Sequence, residues 1–230
     1  MSQQRADEST ATPRSGTETP PEQRPVADRR PNVESDASCP VLADTIPDGY
    51  MLRHTPVLVV MGPAGSGKTA VASAIAQLSG WDLAEADDFH PKSNIDKMAA
   101  GIPLTDEDRW GWLDAIATWI NRHLKDGRPG VVTCSALKRV YRDRLRAPGV
   151  AFVYPQGDYT TVMALLAQRR GHFMKPDMLG SQFAILEAPG ADEMHVTLDL
   201  KRHPTVRQEA LATLSAIGPY AAGQDTERDS

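Results

Sequence analysis

The run Val57-Leu58-Val59-Val60-Met61-Gly62-Pro63-Ala64-Gly65-Ser66-Gly67-Lys68-Thr69 decides how this chain folds. Its opening residues are continuously apolar, the pattern of a strand buried on both faces of a parallel sheet. The residues from Gly62 to Thr69 fit GxxxxGK[ST] without a mismatch. Each residue type in that pattern has a physical task. Glycines permit backbone angles that turn consecutive N–H groups inward, toward phosphate oxygens. A helix beginning near Gly67 adds its positive N-terminal end to the same anion. Lys68 reaches the β- and γ-phosphates, and the Thr69 hydroxyl is placed to ligate Mg²⁺. The expected nucleotide contacts are therefore Gly62, Pro63, Ala64, Gly65, Ser66, Gly67, Lys68 and Thr69, with Ala70 next along the helix. The alternative, a glycine-rich turn that only joins two elements, is disfavoured by its place between an apolar strand and a helix. The motif implies nucleotide binding without choosing among kinase, ATPase and GTPase.

Outward from this motif, apolar runs alternate with helical patterns. Helix formers fill Ala70 to Leu78, and Leu83-Ala84-Glu85-Ala86 reads as a short strand ending at Asp87. From Asp106 to Lys125 the residues Trp110, Leu113, Ile116, Ala117, Ile120 and Leu124 recur at helical spacing. Further strands are expected at Gly130–Cys134, Val150–Tyr154 and His195–Asp199. Further helices are expected at Lys138–Arg146, Tyr159–Arg170 and Val206–Leu214. That alternation predicts an α/β fold, a parallel sheet with helices on both faces. Trp110, Trp112 and Trp119 are read as packing residues.

The chain has 230 residues, enough for one domain or two small ones, with 24% charged and 40% apolar residues. The net charge of −5 gives no basic balance that would point to nucleic acid. Residues 1–40 hold only Met1, Val26 and Val33 as large apolar side chains, and eight of the 18 prolines lie from Pro13 to Pro56. Too little apolar surface is present there to offset the entropy of ordering. Residues 1–53 are expected to be a disordered polar tail, 54–219 the folded domain, and 220–230 a second polar tail. The N-terminus has no apolar h-region, and its nine acidic residues argue against a transit peptide. No stretch approaches the length of a membrane helix. Cys39 and Cys134 lie outside any metal-ligand spacing. A cytoplasmic protein without membrane or nucleic-acid partners is the expectation.

The acceptor side of the reaction must come from the carboxyl ends of the other strands. Asp87-Asp88-Phe89-His90-Pro91 follows the second strand, where a carboxylate can orient Mg²⁺ or take a proton from an attacking hydroxyl. An Asx turn leading into His-Pro is the plainer alternative. Ser135-Ala136-Leu137-Lys138-Arg139 follows the third strand, with Arg142, Arg144 and Arg146 behind it. Those cations can grip an anionic substrate or simply form a solvated face. Arg169-Arg170-Gly171-His172-Phe173 reads as a mobile lid that closes over phosphates. Within it, His172 alone is more often structural or exposed.

The blocks Asp87 to Met98, Gly101 to Leu113, Cys134 to Arg146, Gly171-His172-Phe173 and Ser181 to Glu193 resemble the acceptor region of gluconokinases. They occur in the right order, between about Pro56 and Gly218. This resemblance implies ATP-dependent phosphorylation of D-gluconate at its 6-hydroxyl. It also implies a three-layer P-loop kinase fold of the shikimate- and adenylate-kinase-like group, with sheet order 2-3-1-4-5 and a mobile lid. Relatives are often dimers, so a homodimer is among the expected assemblies. Ala86 departs from the family's usual Gly before the Asp pair, and the long N-terminal tail is unusual. The expected roles are then as follows. Arg109, Lys138, Arg139 and Arg142 grip the gluconate carboxylate, Asp87, His90 and Ser135 contact its hydroxyls, and His172 is a further substrate-binding residue. Asp87, chosen over Asp88 for its place at the strand end, orients or deprotonates the acceptor. Lys68 and Mg²⁺ neutralise developing charge, and Arg169 with Arg170 close from the lid. The rivals are a shikimate-type kinase, which would change the acceptor blocks, and a non-catalytic nucleotide switch. A GTPase switch would carry an Asn-Lys-x-Asp run, which is absent.

Overall fold

The computed structural model describes residues 56–168, 176–202 and 205–217. The expected tails at 1–53 and 220–230, and the lid arginines Arg169 and Arg170 with His172, lie outside these residues. Five parallel strands form one sheet: β1 (Val57–Val60), β2 (Asp82–Ala84), β3 (Gly130–Thr133), β4 (Val150–Gln156) and β5 (His195–Asp199). Their spatial order is β2-β3-β1-β4-β5, as expected. The helices are α1 (Lys68–Ser79), α2 (Lys92–Ala99), α3 (Asp106–Asp126), α4 (Arg139–Leu145), α5 (Tyr159–Gln168), α6 (Pro176–Ala184) and α7 (Val206–Ala216).

The central strand explains the layering. In β1 every residue is buried, because alternate side chains serve opposite faces of the sheet. Val57 and Val59 join Phe152 and Tyr154 under Trp112, Leu113, Ile116 and Ile120 of α3 and Tyr141 and Leu145 of α4. Leu58 and Val60 turn the other way, with Val131, Ala151, Val153 and Val196, against Val71 and Ile75 of α1 and Ala210 and Ala212 of α7. Each fully buried Val, Leu or Ile among them contributes about 1.5–3 kcal/mol. The register Val57↔Gly130 and Val57↔Val150 aligns β3 and β4 beside β1, so all three deliver their carboxyl ends to one edge. The edge strands show their position: β2 is mostly exposed and β5 alternates buried with half-buried residues.

The helices begin and end where local chemistry says they should. Thr105 and Asp108 form a reciprocal capping box at the start of α3, and Gly127 closes it in the left-handed region at φ 63. Thr205 and Gln208 cap α7 in the same way. Two helices escaped the periodicity argument. Helix α2 (KSNIDKMA) has no core-facing apolar stripe and leaves Ile95 and Met98 exposed. Helix α6 carries an interior glycine, Gly180, which lowers its helical propensity. Among the described residues no helix is long and apolar enough to cross a membrane.

Helix α7 also buries a carboxylic acid. Glu209 is 6% exposed, and among the described residues its Oε2 has no hydrogen-bond partner. Burial alone pushes its pKa from 4.5 up to about 7. The folded protein therefore binds this proton more tightly than the unfolded chain does. Its stabilising contribution is complete below pH 4.5 and is lost as pH rises through 7. Glu209→Gln should raise stability at pH 8 by about 2–3 kcal/mol and leave it nearly unchanged at pH 4. Thermal melts of both proteins across pH 4–8 check this; equal melting temperatures at pH 8 would remove the claim.

Candidate active site

The loop between β1 and α1 is a phosphate cradle built at the carboxyl edge of the sheet. Gly67 caps α1 at φ 91, a left-handed angle that disfavours any other residue. Gly65, at φ 84, sits so close to α5 that a Cβ would lie 3.1 Å from Leu166 Cβ and 3.2 Å from its Cδ1. The loop is stitched to the neighbouring strands by Met61 N–H to Val153 O and by Gly62 N–H to Ser135 O. Lys68 Nζ folds back on the Pro63 carbonyl at 2.9 Å. Ser66 is fully buried, and among the described residues its hydroxyl has no partner. A loop with a cation turned onto its own carbonyl and an unsatisfied hydroxyl suits a polyphosphate.

Next to the cradle lies a residue that the sequence reading passed over. Glu85 follows β2 directly, and its Oε2 accepts from the Thr133 hydroxyl at 2.6 Å and the Thr69 hydroxyl at 3.3 Å. Thr133 in turn accepts from Ala86 N–H, tying the ends of β2 and β3 together. The signal available in sequence was an acidic residue beside the Asp pair at a strand's carboxyl end. A hydroxyl and a carboxylate oxygen at this spacing suit a hard divalent cation such as Mg²⁺. Among the described residues no group of three or more His, Cys, Asp or Glu could hold a metal.

The expected strand through Ala86 is in fact shorter, and a 3₁₀ turn, Ala86–Phe89, takes over. That turn presents Asp87 and Asp88, both exposed. Trp112 of α3 fixes it: the indole N–H donates to Ala86 O at 2.7 Å, and the ring stacks on His90 with centroids 4.5 Å apart. Burial lowers the His90 pKa, Asp87 opposes that, and Arg109 adds to it. Burial pushes the Cys134 thiol up to about 12, while Ala136 N–H and Lys68 pull down and Asp87 pushes up. The tryptophans serve as packing residues, as expected, with Trp110 edge-on to Tyr141 and Trp119 tilted over His123.

The expected cationic grip divides into two groups. Lys138 Nζ bonds both oxygens of Asp106, at 3.0 and 2.7 Å, and Arg109 lies 3.6 Å from the same carboxylate. Both cations stand over the Tyr141 ring, at 5.5 and 5.8 Å. Hydrogen bonds from Lys138 and then Tyr141 hold Asp106 below the usual carboxylate range. Two cations against one carboxylate leave a net positive cluster. Arg139 is not part of it: its guanidinium is taken by Asp192 and its backbone N–H by Glu187.

Arg142 corrects the sequence reading outright. It is 0% exposed, so no substrate carboxylate reaches it. Its guanidinium pairs with Glu193 at 2.6 and 2.9 Å and donates to the carbonyls of Ala136, Leu137 and Glu187. A fork with five donors suits that role, and it secures Ala136, which has the unusual φ of 39. Arg142 therefore holds the turn that carries Ser135 and Lys138. Arg142→Ala strands Glu193 in the interior and should destabilise the fold by about 3–5 kcal/mol. The signature is a melting temperature lowered by roughly 10 °C. A normal melt with a raised substrate KM would instead restore the binding role.

The comparisons agree with this geometry. No protein-family model matches the chain. It is 44% identical over 156 residues to a gluconokinase of Gluconobacter oxydans (strain 621H), covering 67% of this chain and 88% of that one. It is 49% identical over 148 residues to a probable gluconokinase of Schizosaccharomyces pombe, covering 61% and 77% respectively. Among solved structures, a gluconokinase from Sinorhizobium meliloti 1021 is similar with a TM-score of 0.62 at 42% identity, covering 75% of this chain and 99% of that one.

Proposed function

The chain belongs to the gluconokinase family, and on that premise we propose that it transfers the γ-phosphoryl group of ATP to the 6-hydroxyl of D-gluconate. The observation that carries this reading is a juxtaposition at one sheet edge. A phosphate cradle follows β1, a carboxylate turn follows β2, and Lys138, following β3, joins Arg109 and Asp106 of α3 in a net positive cluster. The substrate has the matching parts: a carboxylate for Arg109 and Lys138, and hydroxyls for Asp87, His90 and Ser135. Asp87 accepts the proton as the hydroxyl oxygen bonds to the γ-phosphorus and the bond to the ADP oxygen breaks. Lys68 meets the charge that develops on the phosphoryl oxygens. Thr69 and Glu85 would hold Mg²⁺, which supplies further charge neutralisation when bound. Arg169 and Arg170 are assigned the closing role over the phosphates, with His172 beside the substrate.

The same reading takes the enzyme as cytoplasmic, with small-molecule partners; the net charge of −5 offers no basic balance for nucleic acid. It takes residues 54–219 as the catalytic domain between polar tails, and a homodimer as the assembly to test by light scattering. The direct experiment is ADP release measured with gluconate, shikimate and an uncharged polyol of similar length. Gluconate should exceed both others in kcat/KM by roughly 10²-fold or more, since the polyol lacks the carboxylate and shikimate, whose hydroxyls are all secondary ring hydroxyls, lacks the primary hydroxyl that is to be phosphorylated. Equal rates with shikimate, or ADP release indifferent to any acceptor, would refute the assignment.

A further inference from the structure

One peptide group in the cradle is held from both sides. The Pro63 carbonyl accepts from Lys68 Nζ at 2.9 Å and from Ser66 N–H at 3.3 Å. On the other side, the Ala64 N–H donates to Gln182 Oε1 at 2.7 Å, across 118 residues of sequence. The C=O and N–H of a trans peptide point in opposite directions, so whatever fixes one fixes the other. An N–H requires an acceptor, so the amide oxygen of Gln182, not its nitrogen, must face Ala64.

The loop's next residue is seated as tightly. Gly65 lies against Leu166 and Val162 of α5, so close that a methyl group there would meet them at 3.1–3.4 Å and force them to shift. The crest of the cradle is therefore clasped by α5 on one residue and by α6 on the one before it. Proline locks φ at Pro63, but ψ of Pro63 and φ of Ala64 remain free to rotate together. Such a rotation would swing the carbonyl away from Lys68. The bond from Gln182 resists it. A lysine ammonium has three donors, so one can rest on Pro63 O while others serve phosphate oxygens.

We propose that Gln182 is a positioning residue for phosphoryl transfer, acting on the Lys68 ammonium through the Pro63–Ala64 peptide. This rests on the phosphoryl-transfer reading above. The role belongs to the amide oxygen, and a side chain of similar length without an acceptor cannot supply it. Gln182 is only half-buried, and methionine is close to it in size and flexibility, so Gln182→Met tests the bond and spares the packing.

The experiment is a double-mutant cycle with Lys68→Ala, read as single-turnover phosphorylation of gluconate, together with hydrogen exchange at the Ala64 amide. Gln182→Met should lower the single-turnover rate by roughly 10–100-fold, with the half-saturating gluconate concentration changed less than about 2-fold, because a small misplacement of a reacting group is costly. In the Lys68→Ala background the same change should alter the rate by less than about 2-fold, since the group it acts through is gone. Ala64 exchange should be slow in the wild type and fast in Gln182→Met. An equal loss in both backgrounds, or no loss in the wild-type background, overturns the inference. Fast Ala64 exchange in the wild type overturns it without any variant. Because each arm is compared with a wild-type enzyme that turns over gluconate, failure here leaves the assigned reaction standing.

Discussion

Lys68→Ala lowers gluconate phosphorylation by roughly 10³-fold or more while the protein stays folded. Removing a single preorganised donor to developing charge costs about 10²–10³ in kcat, and a full positive charge at the reacting phosphates sits at the upper end of that range or beyond it. Folding should survive because Lys68 opens α1 at a half-buried position and bonds a carbonyl of its own loop. Gluconate KM should change little, since Arg109 and Lys138 are untouched. ATP binding should weaken modestly, because the backbone N–H groups and the α1 terminus remain. Steady-state kinetics, calorimetric ATP binding and a thermal melt on the same preparation separate these effects. Near-normal turnover in a folded Lys68→Ala protein would remove the cradle from the mechanism.

Asp87→Asn is expected to reduce kcat by roughly 10²–10⁴, the usual scale for loss of a general base. Asparagine keeps the size and a hydrogen-bonding oxygen but cannot accept the hydroxyl proton. The choice of Asp87 over its neighbour rests on its place nearer the carboxyl end of β2, at the start of the 3₁₀ turn Ala86–Phe89. Asp88→Asn on the same exposed turn should change kcat by less than about tenfold. ATP affinity should hold in both variants. If Asp88→Asn is the damaged enzyme and Asp87→Asn is not, the two carboxylates exchange roles.

What the sequence made legible was local. The cradle could be read residue by residue because its task is done by backbone angles and by two side chains within the same loop. Strand β1 and helix α3 were legible because burial on both faces, or on one stripe, leaves a pattern along the chain. The acid turn was placed correctly, but its 3₁₀ geometry depends on Trp112 reaching Ala86 across 26 residues. Arg142 shows where such reading fails. It stands among Arg139, Arg144 and Arg146 at helical spacing, and nothing nearby distinguishes it from a solvated cation. Its burial is decided by Glu193, 51 residues away. Glu85 went unnoticed for the same reason: its hydroxyl partners, Thr69 and Thr133, come from two other elements. Gln182 is the extreme case, because no pattern of side chains predicts which distant acceptor a loop amide will find.

The central claim is a phosphoryl transfer from ATP to one particular oxygen of gluconate. Phosphorus–proton correlation NMR on the product of enzyme, ATP, Mg²⁺ and gluconate tests it most directly. The expected spectrum shows a new phosphate monoester coupled to the two protons of the terminal methylene, with ADP formed in equal amount. An ester coupled instead to a single methine proton, or ATP consumed to free phosphate with no ester formed, would contradict it.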